Sequence, residues 1–180
     1  RQVAQPDLLE RIKEALGNSK LSPHCLKLEI TESVVMENAE AAAAMFKQLR
    51  SLGVQLSIDD FGTGYSSLSY LHRFPLNYLK IDRSFVTHLT ADNDNAIVRT
   101  ISTLARNLGM EVIAEGIETE EQYQQLRTLG CEYGQGYLFS QPVGTEAVLL
   151  LLAQDAHRDL DPELPLGPVA EEEIAVPYSM

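Results

Sequence analysis

Two apolar rhythms alternate along this chain. Leu8, Leu9, Ile12, Ala15 and Leu16 recur at helical spacing, which predicts a helix from Pro6 to Leu16 with Pro6 in its first turn and Gly17 ending it. Leu26, Leu28 and Ile30 then alternate with Lys27 and Glu29, the two-residue period of a strand over Cys25–Thr31. The helical period returns through Ala41–Ala44, Met45, Phe46 and Leu49 to Leu52, with Asn38 as its cap and Gly53 behind it in a left-handed position. Further strands are predicted at Val54–Ile58, Tyr78–Ile81, Glu111–Ala114 and Tyr133–Phe139. Asp92 can cap a helix carrying Ile97, Ile101, Leu104, Ala105 and Leu108, closed by Gly109. Thr119 and Gln122 have capping-box spacing for a helix through Leu126 and Leu129, closed by Gly130, and a last helix is expected from Thr145 to about Gln154.

Gly53, Gly109 and Gly130 each follow a helix and shortly precede a strand. Repetition of strand, loop, helix and glycine is the grammar of βα units, so the fold class is α/β with parallel strands. Five strands are counted, against the eight strands and roughly 250 residues of a closed (β/α)8 TIM-type barrel. From Leu160 onward four prolines and the run Glu171–Glu173 break every period. Residues 156–180 are therefore expected to be an acidic, Pro-rich, disordered tail on a domain spanning 1–155.

Composition narrows the function classes. The 180 residues carry a net charge of −12, and from Asp155 to the end seven acids stand against the single base Arg158, a net −6 that is half the total. This balance argues against non-specific binding of a nucleic-acid duplex, which needs basic surface. No apolar run approaches the roughly 20 residues that cross a bilayer. Arg1 to Glu14 is polar and has no signal-peptide core, and the absent initiator Met suggests a piece of something longer. Cys25 and Cys131 lack metal-ligand spacing and are expected as two buried, reduced thiols. His24, His72, His88 and His157 form no ligand pair.

The most telling stretch is Leu56-Ser57-Ile58-Asp59-Asp60-Phe61-Gly62-Thr63-Gly64-Tyr65-Ser66-Ser67. An apolar run ends in two adjacent carboxylates, which repel unless a cation compensates. Sites of parallel α/β proteins form at the C-terminal ends of strands. Those ends carry Glu29 and Glu32, Asp59 and Asp60, Lys80 and Asp82, Glu115 and Glu118, and Gln135 near the fifth. One such residue is a helix cap; seven carboxylates, a lysine and a glutamine are more than capping requires. Two divalent ions about 3.5–4 Å apart would use that charge to clamp a phosphate ester and activate a water. Asp59 suits a bridging ligand, and Lys80 can hold or deprotonate the water or stabilise charge on phosphorus. The plainer reading of Lys80 is a salt bridge to Asp59 or Glu29.

With these residues in hand, the chain resembles the EAL-domain family of cyclic di-GMP phosphodiesterases from Arg1 to about Leu152. The resemblance rests on five ordered blocks: Leu28–Ser33, Asp59–Leu68, Leu79–Asp82, Val112–Glu118 and Gly134–Tyr137. It implies a TIM-type barrel, here incomplete with about five βα units, that hydrolyses cyclic di-GMP to linear pGpG with Mg²⁺ or Mn²⁺ in a two-metal site. By matching motif, Glu29, Asp59, Asp60 and Glu115 would be metal ligands, and Lys80 and Glu115 catalytic. Asp82, Gln135 and Glu118 would lie on the substrate side. Glu32 would anchor the loop Phe61, Gly62, Thr63, Gly64, Tyr65 and Ser66, which couples the metal site to a homodimer interface. Calcium would inhibit, since it prefers more ligands and longer bonds. The resemblance further implies a bacterial source and a cytoplasmic domain, in a parent free to be membrane-anchored.

The Glu-Ala-Leu block that names the family is absent, as is the Asn-bearing strand that should precede Arg1. Each would contribute a metal ligand, so weak or no hydrolysis is expected of this chain alone. A catalytically inactive cyclic di-GMP sensor or partner-docking module is the alternative function. An unrelated metal-dependent TIM-barrel lyase fits the charges but not the ordered blocks.

Overall fold

Strands β1 (Lys27–Thr31), β2 (Gln55–Phe61), β3 (Tyr78–Ile81), β4 (Glu111–Glu115) and β5 (Tyr133–Gln135) pair in sequence order, every pair parallel. The computed structural model describes residues 7–32, 39–63, 71–89 and 95–158, with side chains to residue 152. The helices are α1 (Leu8–Ser19), α2 (Ala39–Ser51), α3 (Arg83–Thr87), α4 (Ala96–Asn107), α5 (Glu120–Thr128) and α6 (Thr145–Arg158). A strand order without reversal excludes the doubly wound sheet and is that of a partial (β/α)8 barrel. The chain falls into two compact units, Arg1–Gln135 and Gly136–Met180. The first holds the whole sheet; in the second, a turn in which the Phe139 N–H donates to the Gly136 carbonyl at 3.1 Å precedes α6. Among the described residues, no helix is long and apolar enough to cross a membrane.

Alternation gives the sheet two unlike faces. Leu28, Ile30, Leu56, Ile58, Leu79, Ile81, Val112 and Ala114 line one. Against it α2 packs on β2 with Ala42, Phe46 and Leu49, and α4 packs on β3 and β4 with Val98, Ile101 and Ala105. Phe46 meets Phe74 edge-on at 5.5 Å between centroids. The other face carries Lys27, Glu29, Ser57, Asp59, Tyr78, Lys80, Glu111, Glu115, Tyr133 and Gln135, and it is the face that builds the site.

At the N-terminal rim one device is used twice. The Asn77 Oδ1 accepts from the Leu56 N–H at 3.0 Å, and the Glu132 carboxylate accepts from the Val112 N–H at 2.8 Å. In each case the residue just before one strand starts the ladder of the strand beside it. Asn77→Ala would leave a donor at the head of β2 unpaired, so a loss of about 1–3 kcal/mol is expected by chemical denaturation. Asn77→Asp, which keeps the acceptor, should lose less.

Several sequence expectations shift. Gly17 lies within α1, which runs on to Ser19 and stops at Lys20, itself left-handed at φ 55. Pro23–Cys25 is a 3-10 turn, so β1 starts at Lys27. Cys25 is exposed and not buried; Cys131 is half-buried, and burial pushes its thiol pKa up to about 11. The fifth strand ends at Gln135 because the chain turns at Gly136, and it does not reach Phe139. The last helix runs on to Arg158, and α3 was unforeseen. The capping box at Thr119 and Gln122 is present as expected. The proposed caps Asn38 and Asp92 and the tail beyond residue 158 lie outside the described residues.

Candidate active site

The site begins with a register shift. Ile58 pairs with Leu79 and Phe61 with Ile81, so Asp59 and Asp60 together stand opposite Lys80. This is a β-bulge, with one extra residue in β2. Asp60 takes the left-handed conformation at φ 54, and its N–H donates to the Asp59 carboxylate at 3.0 Å. Strand β2 therefore continues to Phe61 instead of ending at Ile58, and Phe61 returns to the apolar face, buried beside Ile81. Non-glycine residues in this backbone region carry strain of order 1–3 kcal/mol, often at functional sites.

Lys80 sits at the focus. Its side chain is only 4% exposed, and its ammonium pairs with Glu29 at 2.8 Å, Asp59 at 3.1 Å and Glu115. These carboxylates come from β1, β2 and β4, and the lysine from β3. Burial alone would lower its pKa, but the hydrogen bonds it donates to Glu115, Glu29 and Asp59 outweigh it and raise it above the ordinary lysine value. The salt-bridge reading of Lys80 is thus realised, with three partners. Asp60 is drawn close but forms no ion pair among the described residues; burial first, then the neighbouring Asp59 charge, raises its carboxyl pKa.

The remaining candidates separate by position. The buried Glu32 carboxylate accepts from the Gly62 N–H at 3.3 Å, tying the end of β1 to the loop after β2. Thr63 donates its hydroxyl to the Asp60 carbonyl at 2.8 Å. Gly64, Tyr65 and Ser66 lie outside the described residues. Asp82 caps α3, accepting from the Ser84 N–H at 3.0 Å and from its hydroxyl, and these bonds lower its pKa. Glu118 pairs with Arg83 at 2.6 Å on the exposed rim. Gln135 ends β5 exposed, its carbonyl accepting from the Ile117 N–H at 3.1 Å.

Sequence reasoning passed over three neighbours. Arg83 crosses Gly116 to reach Glu118, and Ser57 is buried on the charged face. The Lys27 ammonium lies 3.5 Å from the Tyr78 ring centroid and 5.7 Å from that of Tyr133. The two-residue period that placed Glu29 also places Lys27 on its face, a signal available in the sequence.

The donor set suits a hard divalent cation. Three carboxylates from three strands converge on the Lys80 ammonium, and oxygen donors of this kind are the ligands a hard cation takes. Among the described residues no three His, Cys, Asp or Glu side chains stand together as a metal site.

The chain is similar to known proteins in sequence and fold. The chain is 46% identical over 153 residues to the bifunctional diguanylate cyclase/cyclic di-GMP phosphodiesterase MucR of Pseudomonas aeruginosa, covering 84% of this chain and 22% of that protein. The solved MucR phosphodiesterase in complex with c-di-GMP matches with a TM-score of 0.78, over 82% of this chain and 66% of that one. The EAL domain of Mycobacterium smegmatis DcpA matches at 40% identity and a TM-score of 0.80, covering 85% and 69% of the two chains. Klebsiella pneumoniae BlrP1, solved with manganese and cyclic di-GMP, matches at 35% identity and a TM-score of 0.71, over 78% and 36%. The chain thus spans about a fifth of the length of the curated relatives it matches. The EAL-domain profile matches residues 1–142, and this chain, an α/β fold of the incomplete TIM-barrel kind, belongs to the EAL-domain family.

Proposed function

We propose that these residues form the larger part of a phosphodiesterase site that hydrolyses cyclic di-GMP to linear pGpG. The observation that supports this most is the convergence of Glu29, Asp59 and Glu115 on the buried Lys80 at the strand ends. In this reading Glu29, Asp59, Asp60 and Glu115 hold Mg²⁺ or Mn²⁺, and the metal supplies an activated water and neutralises the phosphate.

Lys80 acts as a fixed cation. Its ammonium would donate hydrogen bonds to water or to a phosphate oxygen. Burial between strands holds its stem, which orients the ammonium at no cost when substrate arrives. Arg83 and Glu118 present a donor and an acceptor at the rim beside Gln135, suited to a nucleobase edge or a phosphate. The Glu32–Gly62 bond carries any displacement of the loop back to the metal-side carboxylates, and that loop is where a homodimer would couple.

The test is cyclic di-GMP turnover in Mg²⁺ or Mn²⁺, by this chain and by any longer protein that contains it. Formation of pGpG that needs the metal is the expected result in a protein holding a complete ligand set. Binding of cyclic di-GMP without turnover there would favour a sensor, and neither binding nor turnover would sink both readings.

A further inference from the structure

Among the described residues, three buried polar side-chain atoms have no hydrogen-bond partner: Ser57 Oγ, Asn95 Oδ1 and Gln125 Oε1. Asn95 precedes α4 and Gln125 lies on α5, away from the charged face. Ser57 lies within that face. Its residue is 0% exposed, it pairs in register with Glu29 on one side and Tyr78 on the other, and it stands two residues before Asp59 on the same strand. Lys80 follows Tyr78 by two residues, so Ser57 lies on the same face as the Lys80 cluster, one side-chain position before it. A buried hydroxyl left unsatisfied is unfavourable and calls for a physical reason.

Counting donors supplies one. The Lys80 ammonium has three N–H groups, and three carboxylates take them. Those carboxylates are also the ligands that a divalent cation would claim. A divalent cation bound by them would compete with the ammonium for their oxygens. A buried ammonium that loses a partner in that competition needs another acceptor. Ser57 Oγ is the one buried uncommitted acceptor among the described residues on this face.

We propose that Ser57 is a positioning residue for Lys80, accepting a hydrogen bond from its ammonium when the carboxylates turn to a divalent cation. The inference rests on the metal-site reading above and adds to it a switch of partners. Ser57 stabilises only the metal-bound arrangement, so it raises metal affinity without contributing to the metal-free fold.

Calorimetric titration of Mn²⁺ into a longer protein that contains this chain and holds the complete ligand set, and into its Ser57→Ala variant, tests it, with melting temperature of the metal-free proteins measured alongside. Alanine fits the space of serine, so the variant is expected to fold and to melt, metal-free, no lower than wild type. Its Mn²⁺ affinity should fall about tenfold, the loss of one hydrogen bond to a charged group. Equal Mn²⁺ affinities in the two proteins would overturn the role of Ser57 and leave the metal site standing. A metal-free variant that melts markedly lower would mean that the hydroxyl serves packing, which also overturns it. No Mn²⁺ uptake by the wild type would remove the metal-site reading and this inference together.

Discussion

Lys80→Ala should cut phosphodiester hydrolysis in a protein with a complete ligand set by about 10²- to 10³-fold, while binding Mn²⁺ more tightly than wild type. The two effects run in opposite directions because the lysine has two relationships with the same carboxylates. In the proposed site it is the buried cation that would meet substrate, and, paired with Glu29, Asp59 and Glu115, it would also be the metal's competitor for them. Without metal, the variant leaves three acidic groups facing one another, and its melting temperature should drop. The loss should stay below the roughly 3–5 kcal/mol of a fully buried pair losing one partner, because the carboxylates are 20 to 44% exposed. Mn²⁺ should restore most of it.

The pH dependence has a definite sign. In the wild type the lysine pKa is raised, so its stabilisation is fully present below the ordinary lysine range and is lost only as pH rises through the raised value. In the variant the carboxylates repel, and their protonation relieves the repulsion. The gap between the two proteins should therefore narrow as pH falls through the carboxylate range. Melting curves at a series of pH values would show it, and a gap that widens in acid would refute the electrostatic account of the cluster.

Gly116→Ala carries the second-largest expected effect. Gly116 has φ +75, and a Cβ there would come within 2.2 Å of the Arg83 Cγ and 2.8 Å of its Cβ. The second contact is with the stem next to the backbone, so a rotamer change cannot relieve it. Left-handed backbone alone is unfavourable by about 1–2 kcal/mol for an L-residue. Moving Arg83, which follows the Asp82 cap and pairs with Glu118, adds to that. Gly109→Ala is the control: φ is +71, with nothing within 4 Å of its Cβ. Gly116→Ala should destabilise clearly more than Gly109→Ala in urea, and it should weaken any ligand held by Arg83. Equal losses would mean that the close approach of Arg83 has no energetic weight.

Much of the architecture was legible because the periods are clean. Strand β3 has the bounds that Tyr78-Leu79-Lys80-Ile81 predicts, and the Thr119 capping box is present as its spacing implies. The cluster of Lys80 with Glu29, Asp59 and Glu115 was also foreseeable, since parallel strands deliver their C-terminal residues to one rim. The bulge was not. Two adjacent aspartates look like the start of a loop, and nothing local distinguishes a loop from an extra residue inside a ladder. Helix α3 is five residues long, too short for a helical period to show. Ser57 escaped notice because a serine in an apolar run reads as a neutral spacer; its meaning comes from the strands on either side.

The bulge has a genetic corollary. Asp59 and Asp60 share the ladder position opposite Lys80, while Ile58 and Phe61 hold regular partners on either side. Deleting the Asp60 codon would close the ladder into a regular one, with Phe61 still beside Ile81 and still in the core. Deleting a codon ahead of the bulge in β2, such as that of Ser57, would turn side chains of the strand to the opposite face. A lineage carrying this domain can therefore shed the second carboxylate in a single in-frame step and keep a folded protein. Its catalytic and purely receptive descendants could differ by three nucleotides.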